Sequence, residues 1–232
     1  MDAVSDAIRT DGKQKIKLLV FDLDGTLIDS RLDLANSVNA AREHMDMPPL
    51  KNETVYSYVG NGVDVLIKRA MGEGASEREL QKAKEFFFDY YRVHMLDDTT
   101  LYPGTTEALE RISAAGIKMA VLTNKPVRFS TAILEGLGIA PLFQCIYGGN
   151  SFEQKKPHPM GLEAIEKECG ATREDCVMIG DSAVDVRTAR NAKVPVWGVS
   201  YGFQPESFAL HPPDWMAHTM AEVADRALSR TL

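Results

Sequence analysis

The sequence predicts an α/β fold, a parallel-sheet core with a helical unit inserted near its start. Three observations carry that prediction. Short apolar runs recur along the chain and each ends in a polar loop; stretches of helical period lie between them; and one long segment, residues 32–96, breaks the alternation.

The first apolar run, residues 16–21, stops at Asp22 and reads as a buried strand. Four more strands are predicted over 118–122, 145–147, 176–179 and 195–200. Helical patterns cover 107–115, 126–137 and 159–169, closed by Gly116, Gly138 and Gly170, and a fourth covers 183–192. Strand followed by helix, repeated, implies parallel strands whose carboxyl ends gather the reactive groups. Within the segment that breaks the pattern, residues 33–45 and 76–95 have helical spacing. Phe86, Phe87, Phe88, Tyr90 and Tyr91 supply its core, not a stacking platform for bases. Pro48-Pro49 and Gly60-Asn61-Gly62 mark turns inside it; with Val65 in the third position, these glycines are no dinucleotide fingerprint.

Bulk properties narrow the function. The chain has 232 residues, 44% hydrophobic and 25% charged, enough to bury a sizeable core without a partner. A net charge of −7 argues against nucleic acid as a partner. No apolar run approaches the roughly 20 residues needed to span a bilayer. Residues 1–14 are polar, resemble no signal peptide and read as a loose tail. Cys145, Cys169 and Cys176 are odd in number and lack metal spacing, which suits free thiols in the cytoplasm. A cysteine-based phosphatase needs arginine six positions after its thiolate, and Ser151, Asp175 and Ser182 stand there instead.

The chemistry concentrates at the strand ends. Asp22-Leu23-Asp24-Gly25-Thr26 sets two carboxylates two residues apart directly after the first strand. Gly180-Asp181-Ser182-Ala183-Val184-Asp185 does the same after a later one, although Asp181 or Ser182 alone would serve as a helix cap. Carboxylates that converge repel unless a cation relieves them, and hard oxygen ligands beside a phosphate point to Mg²⁺. Thr123 and Asn124 offer a hydroxyl and an amide at a third strand end, and Lys156 a cation just before a helix. His158 is assigned to the start of that helix.

In this order these elements resemble the four motifs of the haloacid dehalogenase superfamily, over nearly the whole chain after the tail. Leu27-Ile28-Asp29-Ser30 after the first motif, and Lys156-Pro157-His158-Pro159, are most similar to its phosphoglycolate phosphatase group. The resemblance implies a Rossmann-like α/β core over 15–30 and 97–232, a helical cap over 31–96 and the tail over 1–14. It implies Asp22 as nucleophile and Asp24 as general acid and then base. It further implies Mg²⁺ held by the carboxylates of Asp22 and Asp181 and the backbone carbonyl of Asp24, with Asp185 behind them. Thr123, Asn124 and Lys156 would grip the phosphate.

The expected reaction is Mg²⁺-dependent hydrolysis of a small phosphorylated metabolite through an aspartyl phosphate, 2-phosphoglycolate first, in a monomer or homodimer. Sugar phosphates, pyrophosphate and nucleotides remain alternatives, followed by a phosphomutase and, last, a non-catalytic binding module. Asp24 argues against a dehalogenase, because halide leaves without a proton. A substrate carboxylate would find its donor in the cap, at Gly60-Asn61-Gly62 or at Lys68 and Arg69.

Overall fold

The computed structural model describes residues 15–229. The tail expected over residues 1–14 lies outside them.

Six strands form one parallel sheet in the order β5-β4-β1-β6-β7-β8. They are β1 (Leu18–Phe21), β4 (Lys118–Leu122), β5 (Cys145–Tyr147), β6 (Cys176–Gly180), β7 (Val196–Val199) and β8 (Trp215–Ala217). β1 is buried along its length because both its edges and both its faces are covered. This explains why its sequence is a continuous apolar run with no alternation. On one face Leu18, Val20, Ala120 and Met178 meet Leu162 and Ile165 of α7 (Met160–Cys169) and Val186 and Ala189 of α8 (Ala183–Ala192). On the other, Leu19, Phe21, Val121 and Ile179 meet the second apolar cluster. That cluster includes Leu109 and Ile112 of α5 (Thr105–Ala114), Ile133 of α6 (Val127–Gly136) and Val223 of α9 (Met220–Leu228).

The register brings three strand ends level. Phe21 stands opposite Val121 of β4 and Ile179 of β6, so the loops that begin at Asp22, Thr123 and Asp181 open side by side. From β1 the sheet extends to one side through β4 and β5 and to the other through β6, β7 and β8. This is the kind of switch point where open α/β sheets place their ligands.

Four helices interrupt this pattern: α1 (Arg31–His44), α2 (Asn52–Tyr56), α3 (Val63–Met71) and α4 (Glu77–His94). The chain leaves for them through β2 (Ile28–Asp29) and returns through β3 (Thr100–Leu101). The two short strands pair antiparallel, Ile28 with Leu101 and Asp29 with Thr100. Asp33, in the first turn of α1, tightens this stalk: its carboxylate accepts the N–H groups of Asp98 and Thr99 and the Thr99 hydroxyl, at 2.7–3.1 Å.

The differences from the sequence reading have local causes. β1 starts two residues late, at Leu18, where its pairing with Cys176 of β6 begins; the Lys17 and Leu18 N–H groups share the Asp175 carbonyl just before it. α2 and α3 were not expected; neither has a side-chain cap, and α3 starts from Gly62. β8 and α9 were not assigned either. His158 lies where it was assigned, with Nδ1 accepting from Met160 N–H at the start of α7.

Candidate active site

Leaving β1, the backbone folds back at once. Leu27 and Ile28 N–H both bond to the Leu23 carbonyl, and Gly25 N–H to that of Ile28. This turn carries Asp22 and Asp24 on one short loop. Gly25 is held at φ +85°, and a Cβ there would stand 2.2 Å from Asp181 Oδ2. Glycine is therefore what lets the β6 loop approach the β1 loop. Gly180 does the same beside Asp185, where a Cβ would fall 2.2 Å from the carboxyl carbon.

Three buried carboxylates result. Single oxygens of Asp22, Asp181 and Asp185 all lie within 4.8 Å of one another. Lys156 enters this group from the loop before α7, with Nζ 2.7 Å from Asp22 Oδ1 and 2.6 Å from Asp185 Oδ1. Asp185 occupies its other oxygen with Ser182 N–H and Oγ, at 3.2 and 2.8 Å, as part of the capping box of α8. Asp181 Oδ2 accepts Phe203 N–H at 2.6 Å.

Lys125, which the sequence reading passed over, forms a second ion pair beside the first. Its Nζ lies 2.8 Å from Asp24 Oδ1 and 3.1 Å from Oδ2. Ser30 Oγ donates to the same Oδ1 at 2.5 Å. The ammonium is buried and sits 4.8 Å from the ring centroid of Tyr91, on α4.

The electrostatics follow from burial. Desolvation pushes Asp22 up to about 6 against the pull of Lys156, and the Asp185 and Asp24 charges add to the rise. Asp181 is raised well above the carboxylate range, by burial first and then by Asp185 and Asp22. Burial disfavours the charge on Lys156 and on Lys125, but the carboxylates beside each outweigh it and raise both. Asp22, Asp24, Asp181 and Asp185 face two ammonium groups, so full ionisation leaves the site two positive charges short. A donor set of carboxylate oxygens with that deficit fits a small hard dication.

Thr123 and Asn124 follow β4 as expected. Thr123 is buried, its N–H bonded to the Tyr147 carbonyl and its Oγ1 accepting Lys125 N–H at 3.3 Å. The Asn124 amide points differently from a phosphate ligand: Nδ2 donates to the carbonyls of Gly60 and Lys156, at 3.2 and 3.1 Å. It thereby ties the turn before α3 to the lysine loop. Lys155 Nζ donates to Asn61 O at 2.9 Å and Gln204 Nε2 to Val59 O at 2.7 Å, so three side chains clasp that turn.

Asp22, Asp24, Thr123, Asn124 and Lys125 open into one cleft. Its opposite wall comes from α1, α3 and α4 and is apolar. Of the aromatic cluster, Phe87, Phe88 and Tyr91 line it, and Phe88 and Tyr91 pack against Phe129 of α6. Gly60 and Gly62 reach the cleft; Lys68 and Arg69 do not, and line outer crevices instead. Among the described residues no helix is long and apolar enough to cross a membrane.

Residues 19–199 match the family of haloacid dehalogenase-like hydrolases. The chain is 38% identical over 220 residues to the phosphoglycolate phosphatase of Vibrio parahaemolyticus, covering 92% of this chain and 96% of that one. It is 37% identical over 217 residues to the phosphoglycolate phosphatase of Colwellia psychrerythraea, covering 90% and 96%. Among solved structures it is similar to a predicted phosphoglycolate phosphatase from Haemophilus somnus, with a TM-score of 0.86 and 34% identity over 91% of this chain and 97% of that one.

Proposed function

The chain belongs to the haloacid dehalogenase-like hydrolases, and from that premise we propose that it is a Mg²⁺-dependent phosphatase that converts 2-phosphoglycolate to glycolate and phosphate. One observation carries the reading: Asp22 and Asp24, two residues apart, face one cleft, and each is paired with its own buried lysine. The curated relatives' shared activity supports the choice of substrate.

In this reading Asp22 attacks phosphorus, the bond from phosphorus to the alcohol oxygen breaks, and Asp24 gives that oxygen a proton. Asp24 then takes a proton from water, which attacks the aspartyl phosphate and releases phosphate, restoring Asp22. Lys156 holds negative charge on the phosphoryl oxygens and Thr123 donates its hydroxyl to them. Asn124 acts by keeping the lysine loop and the Gly60 turn together. Asp22, Asp181 and the Asp24 backbone carbonyl would hold Mg²⁺, with Asp185 fixing Lys156 behind them. The ion's contribution is to neutralise the phosphate so that a carboxylate can approach it.

The same reading divides the chain into a core, 15–30 and 97–232, and a cap, 31–96, in a cytoplasmic monomer or homodimer. The apolar wall that α1, α3 and α4 add to the cleft supports a cap that excludes water and admits only small molecules.

The test is phosphate release with Mg²⁺ from 2-phosphoglycolate, sugar phosphates, pyrophosphate, nucleoside monophosphates and an aryl phosphate, compared by kcat/KM. The expected result is a clear lead for 2-phosphoglycolate. Another metabolite about tenfold ahead of it would replace the substrate and leave the chemistry standing.

A further inference from the structure

The cleft over Asp22 is unevenly charged. Leu34, Val63, Leu66, Phe87, Phe88 and Phe129 make its walls apolar, and Lys125 is the one cationic side chain among its lining residues. Lys156 is already engaged by Asp22 and Asp185. The cationic residues of α3 are turned elsewhere: Lys68 lies in an outer crevice with Asp64 and Glu73, and the Arg69 guanidinium lies 6.0 Å from the Tyr58 ring centroid. A substrate with a second anionic group must therefore carry it into apolar surroundings, where an unpaired charge is strongly disfavoured.

We propose that Lys125 determines specificity, its ammonium receiving a carboxylate carried on the alcohol half of the substrate while keeping its hold on Asp24. The geometry allows both. An ammonium has three N–H donors, and here both oxygens of Asp24 accept from it. Tyr91 of α4 stands beside the ammonium, its ring centroid 4.8 Å from Nζ, and Lys125 is buried there. The favoured class is a small phosphate monoester with a carboxylate close to its ester oxygen. An ester with a neutral alcohol leaves Lys125 bound to Asp24 alone and gains nothing from it. This inference rests on the phosphatase reading of the cleft and adds the residue that selects within it.

The experiment compares kcat/KM for 2-phosphoglycolate and for its carboxamide, matched in size and lacking the charge, with 4-nitrophenyl phosphate as a general reporter. Wild-type enzyme should prefer the carboxylate by about 30-fold or more, the scale of one hydrogen-bonded ion pair. Lys125→Met, which also strips Asp24 of its partner and so lowers turnover of both compounds, should bring the pair to within about threefold of each other, and Lys125→Arg should keep part of the preference. A wild-type enzyme indifferent to the charge overturns the proposal, and that comparison decides alone if Lys125→Met does not fold. Equal losses on both substrates in Lys125→Met also overturn it, since they mean that Lys125 serves only Asp24. If the reporter is hydrolysed but neither glycolate compound is, the substrate reading has failed separately. Competition of the pair against the reporter then decides, and equal inhibition constants overturn the inference.

Discussion

Lys156 Nζ and Asp185 Oδ1 stand 2.6 Å apart, so a carboxylate on α8 sets where the cation beside Asp22 points. Asp185→Asn keeps the shape of the side chain and weakens that hold. We expect kcat to fall by about 10- to 100-fold with a smaller change in KM, the scale usual for a supporting shell. Steady-state kinetics with 2-phosphoglycolate checks this; an unchanged kcat would show that Lys156 is held well enough without Asp185.

Asp22 gives a prediction about pH. Burial, opposed by Lys156 and reinforced by Asp185 and Asp24, raises it from 3.8 to about 6. A carboxyl raised in the folded state contributes stability that is full below the unfolded value and is lost as pH rises through the folded one. Metal-free wild-type protein should therefore lose about 1 kcal/mol between pH 5 and pH 7 that Asp22→Asn does not lose. Melting curves of both proteins in chelator measure it. A gap between them that fails to change with pH removes the basis for the shift. The same variant should show no turnover at either pH.

The proposed metal dependence rests on the charge deficit among the carboxylates. Chelator should abolish activity and Mg²⁺ restore it. Ca²⁺ should inhibit in its presence, because looser coordination would misplace the oxygen with which Asp22 is proposed to attack. Full activity in a preparation verified free of divalent ions would be incompatible with this assignment.

Gly25→Ala tests how the two loops meet. The new methyl would fall 2.2 Å from Asp181 Oδ2, and the backbone would have to keep φ +85°. Strain of about 1–3 kcal/mol is expected, with activity lost well beyond what the stability loss explains. Denaturant unfolding and kcat measured on the same preparation separate the two effects. Wild-type activity in this variant would mean that Asp181 can withdraw without consequence.

The sequence made some of this site legible and hid the rest for definite reasons. Asp22 and Asp181 directly follow β1 and β6, with Asp24 two residues beyond Asp22, and a parallel strand buried on both faces reads as a nearly continuous apolar run. Lys125 was hidden because a single lysine at a strand end normally reads as solvated; its partner Asp24 lies 101 positions away, and only the pairing of β1 with β4 joins them. Asn124 was visible as a residue, but its direction depends on the Gly60 carbonyl, which the turn between α2 and α3 supplies. Among the elements, α3 begins without a side-chain cap. α9 does carry a start signal in its sequence: Thr219 accepts Glu222 N–H, the spacing of a helix start.

The pairing of Asp29 with Thr100 also bears on how the sheet assembles. Before β1 can lie beside β4, the chain must close a loop from Phe21 to Lys118. Once the β2–β3 stalk has formed, the four helices hang from that loop as a closed side branch and no longer count in its length. By the logarithmic dependence of closure entropy on loop length, this shortcut lowers the cost of joining β1 to β4 by about 1 kcal/mol. To the folding sheet, a long excursion behaves as a short connection.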